Sequence, residues 1–157
     1  MKFSYAIGSI LFALSFLVFP SCAGELTLTD DEKAFLTDME DMGIPMLYQI
    51  PEAMNIGVYH GRDTAISDIA TSKTEELKTF SDKISGYTLG TETSVLRDSW
   101  LDAEQILKTD LEQYGTLVSG CGSCVSTMNA MYPVLTQSAG KVNKDLIRFY
   151  EKNQIPL

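Results

Sequence analysis

Three groups of residues in this chain have the types and spacing to do chemistry. The first is Cys121 and Cys124, which frame the glycine- and serine-rich stretch "SGCGSC". Such a pair can cycle between dithiol and disulfide, supply half of a zinc site, or staple a turn. Cys121 falls just ahead of a helical pattern, and a helix N-terminus favours the thiolate over the thiol. Thioredoxin-type chemistry, however, places the pair after a strand in an α/β fold, and no strand pattern precedes it here. Zinc needs a second pair of ligands at matching spacing, which is missing. Covalent haem needs a histidine directly after the second cysteine, and that position is Val125. A bridge closing so small a loop contributes about 2 kcal/mol before strain. The expectation is a structural disulfide, Cys121–Cys124, with thiol–disulfide or metal-handling chemistry at the pair as the alternative.

The second group is "YHGRD", Tyr59 to Asp63. His60 and Arg62 suit a small anionic or carboxylate ligand, because the guanidinium fork donates two parallel hydrogen bonds. Asp63 would orient them. Each residue also has an ordinary turn role: Gly61 stops one helix and Asp63 caps the next. The third group is Met39, Met42 and Met46, which share one face of a regular helix. Thioethers bind Cu(I) in oxidising compartments, but methionine far more often fills a core. In size, and in placing a Cys-x-x-Cys pair among helices, the chain resembles flavin-linked sulfhydryl oxidases. Their flavin site uses several histidines and this chain has only His60, so the resemblance stops at the cysteine pair and no cofactor is expected.

No Gly-x-Ser-x-Gly nucleophile motif and no glycine-rich phosphate loop occurs. The balance of charge, 12 basic against 21 acidic residues, with no basic cluster, argues against nucleic acid as a partner. It equally disfavours anionic lipid.

The N-terminus carries an address. Lys2 is followed by an apolar run, Ala6 to Phe19, which ends at Pro20 and is followed by Ser21 and Ala23. The run is short of the roughly 20 residues that span a bilayer and has the layout of a secretory signal cleaved after Ala23. Cys22 offers a lipid attachment point, although Phe19 and Pro20 suit the lipoprotein pattern poorly. Membrane contact is expected only through these two features. Residues 24–157 then form one domain. The signal takes one lysine with it, leaving 11 basic and 21 acidic residues and a net charge of −10.

The elements that must position these groups are helices, because apolar residues recur at steps of three and four. A first helix opens with a capping box at Thr29 and Glu32. Its apolar line runs through Phe35, Met39, Met42, Met46, Gln49, Ala53, Ile56 and His60, across Pro45 and Pro51. A proline deletes a helical hydrogen bond and kinks the helix. A second line holds Ile66, Ala70, Lys73, Leu77, Phe80 and Ile84. A third, capped by Thr91, holds Leu96, Trp100, Ala103, Leu107, Leu111 and Tyr114. A fourth holds Val125, Met128, Tyr132, Leu135, Ala139, Val142, Leu146 and Phe149, with Pro133 off the line. Short connections predict an all-α, up-down antiparallel four-helix bundle with a proline-kinked first helix. A three-helix core with a broken N-terminal arm is the alternative. The function expected of such a chain is non-enzymatic binding of a small ligand or protein partner outside the cytoplasm.

Overall fold

The computed structural model describes residues 27–60, 63–117 and 122–156. The expected signal segment, its cleavage point and Cys22 lie outside the described residues. The described chain is helical throughout: α1 (Asp30–Asp38), a π-helical turn (Met39–Gly43), α2 (Ile44–His60), α3 (Asp63–Ser85), α4 (Thr91–Tyr114) and α5 (Gly122–Asn153). α1, the π turn and α2 follow one another without a break and act as one long bent helix. With α3, α4 and α5 it forms a four-helix bundle.

The capping box forms as expected. The Thr29 hydroxyl accepts the Glu32 N–H at 3.2 Å, and the Glu32 carboxylate accepts the Thr29 N–H at 2.9 Å. Three acidic residues occupy the first turn of α1, where the helix dipole favours them.

The π turn changes the register of everything after it. Ile44 N–H donates to the Met39 carbonyl, five residues back, so the turn holds one residue more than an α-turn. Pro45 follows directly and has no N–H to continue a regular ladder. One added residue rotates the downstream face by about 100°. The expected line of Met42, Met46, Gln49, Ala53 and Ile56 is therefore replaced by Gly43, Leu47, Ile50, Met54 and Gly57–Val58. Leu47, Ile50, Met54 and Val58 are all at most 2% exposed, whereas Met42 is 44% and Ile56 53% exposed. Gly43 is needed at the turn itself: a Cβ there would lie 2.9 Å from the Phe80 ring. Trp100 Nε1 donates to the Gly43 carbonyl at 3.0 Å, and Trp100 packs on Phe80 with ring centres 4.8 Å apart.

Each helix lies antiparallel to its neighbours, as pairs of contacts at opposite ends establish. Asp38 binds Lys83 at 2.7 Å while Gly57 faces Ile69. Phe80 packs on Trp100 while Ala70 faces Gly115. Ser99 donates to Asp145 at 2.9 Å, and Glu92 accepts from Lys152 at 2.8 Å. Tyr59 donates to Asn129 at 3.0 Å while Tyr48 faces Gly140. The order around the bundle is therefore α2, α3, α4, α5 and back to α2. The N-terminal helical run is an integral wall and not a separate arm.

The lines expected of α3, α4 and α5 hold over most of their length, but Ala70, Val125 and Tyr132 are only half-buried, and Cys124 and Met131 take the buried places at the start of α5. Ile66, Leu77, Phe80 and Ile84 are buried, as are Leu96, Trp100, Leu107, Leu111 and Tyr114, and Met128, Leu135, Ala139, Val142 and Leu146. Lys73, the polar residue on the α3 line, keeps its ammonium at the surface on Glu76, at 2.7 and 2.8 Å. Pro133 sits inside α5 on its exposed side. At the α3–α4 corner one expectation is corrected. Thr91 begins α4, and Gly90 is the cap residue, with no side chain to offer. Glu32 serves the corner from across the bundle, accepting the Gly90 N–H at 3.0 Å and the Thr93 hydroxyl at 2.8 Å.

Candidate functional site

The turns singled out in the sequence have their flanks at one pole of the bundle. α2 ends and α3 begins there, as do the end of α4 and the start of α5. Gly57, Ile69 and Tyr114 meet just inside it, and Ala70 faces Gly115. His60 closes α2 and Asp63 opens α3. Their side chains, together with Arg62, lie outside the described residues. So does Cys121. Cys124 sits in the first turn of α5 and is 7% exposed.

The three methionines do not share one surface. Met39 is fully buried. The π turn then carries Met42 outward, and Met42 and Met46 line an open groove between α2 and α3. Its main lobe, about 570 Å³, has Met42, Met46 and Phe80 as its apolar floor. A second lobe of about 190 Å³ shares Met42 and Met46 and adds Pro45, Gln49 and Ile50. Charged residues form the rim. Lys73 is held by Glu76, whose Oε1 also accepts the Ser72 hydroxyl at 3.3 Å. Lys83 is held by Asp38, which also accepts the Tyr87 hydroxyl at 2.5 Å. That hydrogen bond, with burial and the Asp38 charge, pushes the Tyr87 phenol up to about 12. Asp41 and Glu75 complete the rim. Among the described residues neither forms an ion pair.

Sequence periodicity alone hides this groove, because an unbroken helical period assigns Met42 and Met46 to the core. The signal that could have revealed it is "GIP", Gly43 to Pro45, where a glycine and a proline invite a change of register.

The other concavities offer less. About 480 Å³ between α4 and α5 contains Asp110, whose pKa is raised by burial, but no second titratable group lines it to pair with Asp110 in acid–base chemistry. A concavity of about 580 Å³ on α5 is lined mostly by polar and charged residues, Lys141, Lys144, Asp145 and Arg148 among them, with Val134 as its apolar side chain. Among the described residues no group of three or more His, Cys, Asp or Glu side chains is placed to hold a metal ion. No helix among them is long and apolar enough to cross a membrane.

No family model, no curated protein and no solved structure matches the chain.

Proposed function

We propose that this chain is an exported binding module and that the groove between α2 and α3 takes the apolar part of its ligand or partner. The observation that carries the reading is Met42. It is 44% exposed beside Met46, on a bundle whose other methionines described here are buried. Methionine adapts its shape to varied apolar surfaces and is favoured where a surface must bind them. Met42 stands outside the core of the bundle, to which Leu47, Ile50, Met54 and Val58 contribute from the same helix. The groove also has the size of ordinary ligand sites, which run from about 300 to 1,000 Å³.

In this reading residues 1–23 direct export and are removed. The Cys121–Cys124 bridge holds the turn into α5. Burial of Cys124 supports that bridge. A thiol–disulfide role for the pair is the second reading: α5 opens at Gly122, directly after Cys121 in the chain, and a helix N-terminus favours the thiolate.

A thermal-shift screen of amino acids, organic acids, metal ions and neutral apolar compounds tests the groove. Stabilisation that is lost in Met42→Ser/Met46→Ser but kept in Arg62→Ala supports it. The reverse pattern moves the site to the "YHGRD" turn. Intact mass of the exported protein, with and without alkylation, reports the cleavage site, any lipid on Cys22 and the state of the cysteines.

A further inference from the structure

We infer that the occupant of the α2–α3 groove is a cationic amphipathic helix of a partner protein, an inference that rests on reading this groove as the binding site. The shape fits a helix. The α3 wall runs from Ser72 to Lys83, which is about 16 Å at 1.5 Å per residue. That length matches about three turns of a docked helix, enough for apolar anchors at i, i+3 or i+4, and i+7. The groove is an open furrow between two antiparallel helices and not a closed cavity, so it admits a rod from the side.

The charge of the rim selects the partner's sign. Three carboxylates line the groove, Asp41, Glu75 and Glu76, together with two lysines, Lys73 and Lys83. Both lysines are already engaged, Lys73 with Glu76 and Lys83 with Asp38, each at 2.7 Å. The field left over is that of Asp41 and Glu75, one from each wall of the groove. Lysines or arginines flanking an apolar stripe would meet these two while the stripe covers Met42, Met46 and Phe80. An acidic helix would face uncompensated repulsion. The net charge of the chain, −9, steers the same class of partner at longer range.

The test uses two synthetic 14-residue peptides with leucine at i, i+3, i+4 and i+7 and either lysine or glutamate elsewhere. Binding to the full protein is followed by fluorescence anisotropy at two salt concentrations. The lysine peptide is expected to bind at least tenfold more tightly than the glutamate peptide. Asp41→Asn/Glu75→Gln is expected to weaken it several-fold and to flatten its salt dependence. Glu112→Gln/Glu151→Gln, which removes two exposed carboxylates elsewhere, is expected to leave it unchanged. Equal loss in both double variants would show general attraction to an acidic protein and overturn the inference. Equal binding of both peptides, lost in Met42→Ser/Met46→Ser, would overturn the charge selection but keep the groove as a site. No peptide binding that responds to Met42→Ser/Met46→Ser, with the fold confirmed by circular dichroism, would overturn the inference; the thermal-shift screen separately decides whether the groove takes a small ligand. Concentration-dependent self-association removed by Lys141→Glu/Lys144→Glu would name a second copy as the occupant and overturn the inference.

Discussion

The Tyr114 hydroxyl occupies the space that a Cβ on Gly57 would fill. The two residues come from α2 and α4, which lie diagonally across the bundle, and only a glycine lets them meet. The hydroxyl is buried with no hydrogen-bond partner among the described residues, and burial pushes its pKa up to about 12. Overpacking a full core typically costs about 1–3 kcal/mol, so Gly57→Ala is expected to destabilise by that amount or more. Tyr114→Phe removes a polar atom that gains nothing from burial, and is expected to be neutral or slightly stabilising. The double variant should recover part of the Gly57→Ala loss, giving a coupling of about 1 kcal/mol in a urea-denaturation cycle.

The register after the π turn gives the second prediction. Leu47→Ala, Ile50→Ala and Met54→Ala should each cost about 2–5 kcal/mol, as truncations in a closed core do. Met42→Ala and Ile56→Ala should stay within about 0.5 kcal/mol. An unbroken helical period predicts the opposite ranking for Met42 and Ile56, so five denaturation curves decide between them.

Glu32 ties the start of α1 to the start of α4 and provides a pH dependence. Its pKa is lowered, chiefly by the Thr29 N–H and then by the Thr93 hydroxyl, against the opposing effect of burial. A lowered pKa in the folded state means that its stabilisation is fully present above the ordinary carboxylate pKa. It is lost as pH falls through the folded value. Glu32→Gln should therefore cost about 1–3 kcal/mol at pH 7, the usual penalty for breaking charge-assisted bonds in a protected site. The gap between variant and wild type should close on acidification, which chemical denaturation at pH 7 and pH 3 would measure.

For the cysteines, Cys121→Ser/Cys124→Ser should lower stability by about 2 kcal/mol or less without unfolding the protein, as expected of a small loop. Alkylation rate against pH on the reduced protein separates the staple from a redox site. Titration of both thiols near 8.5 supports the staple, and a thiol titrating well below that supports redox activity.

Much of the architecture is legible in the residue order. Four apolar lines with steps of three and four, the Thr29–Glu32 box and the short connections imply the antiparallel bundle, because each depends on near neighbours in the chain. The α3, α4 and α5 lines are uninterrupted by a change of helical period, and most of their core residues can be named from spacing alone; at the start of α5 spacing picks Val125 and Tyr132, whereas Cys124 and Met131 are the buried ones. The pairing of Lys73 with Glu76 follows from the same local rule.

The groove is legible only in three dimensions. Whether Met42 and Met46 face the core or the surface depends on one extra residue in the turn before Pro45. Periodicity cannot report that residue, since both registers place apolar side chains on a stripe. The choice is made by contacts between distant segments: Phe80 needs the room at Gly43, Trp100 takes the Gly43 carbonyl, and Tyr114 needs the space at Gly57. Glu32 at the α3–α4 corner belongs to the same class, as its partners Gly90 and Thr93 lie far along the chain. Spacing along a helix sets what can be buried, and packing between helices decides which of two possible faces is left open.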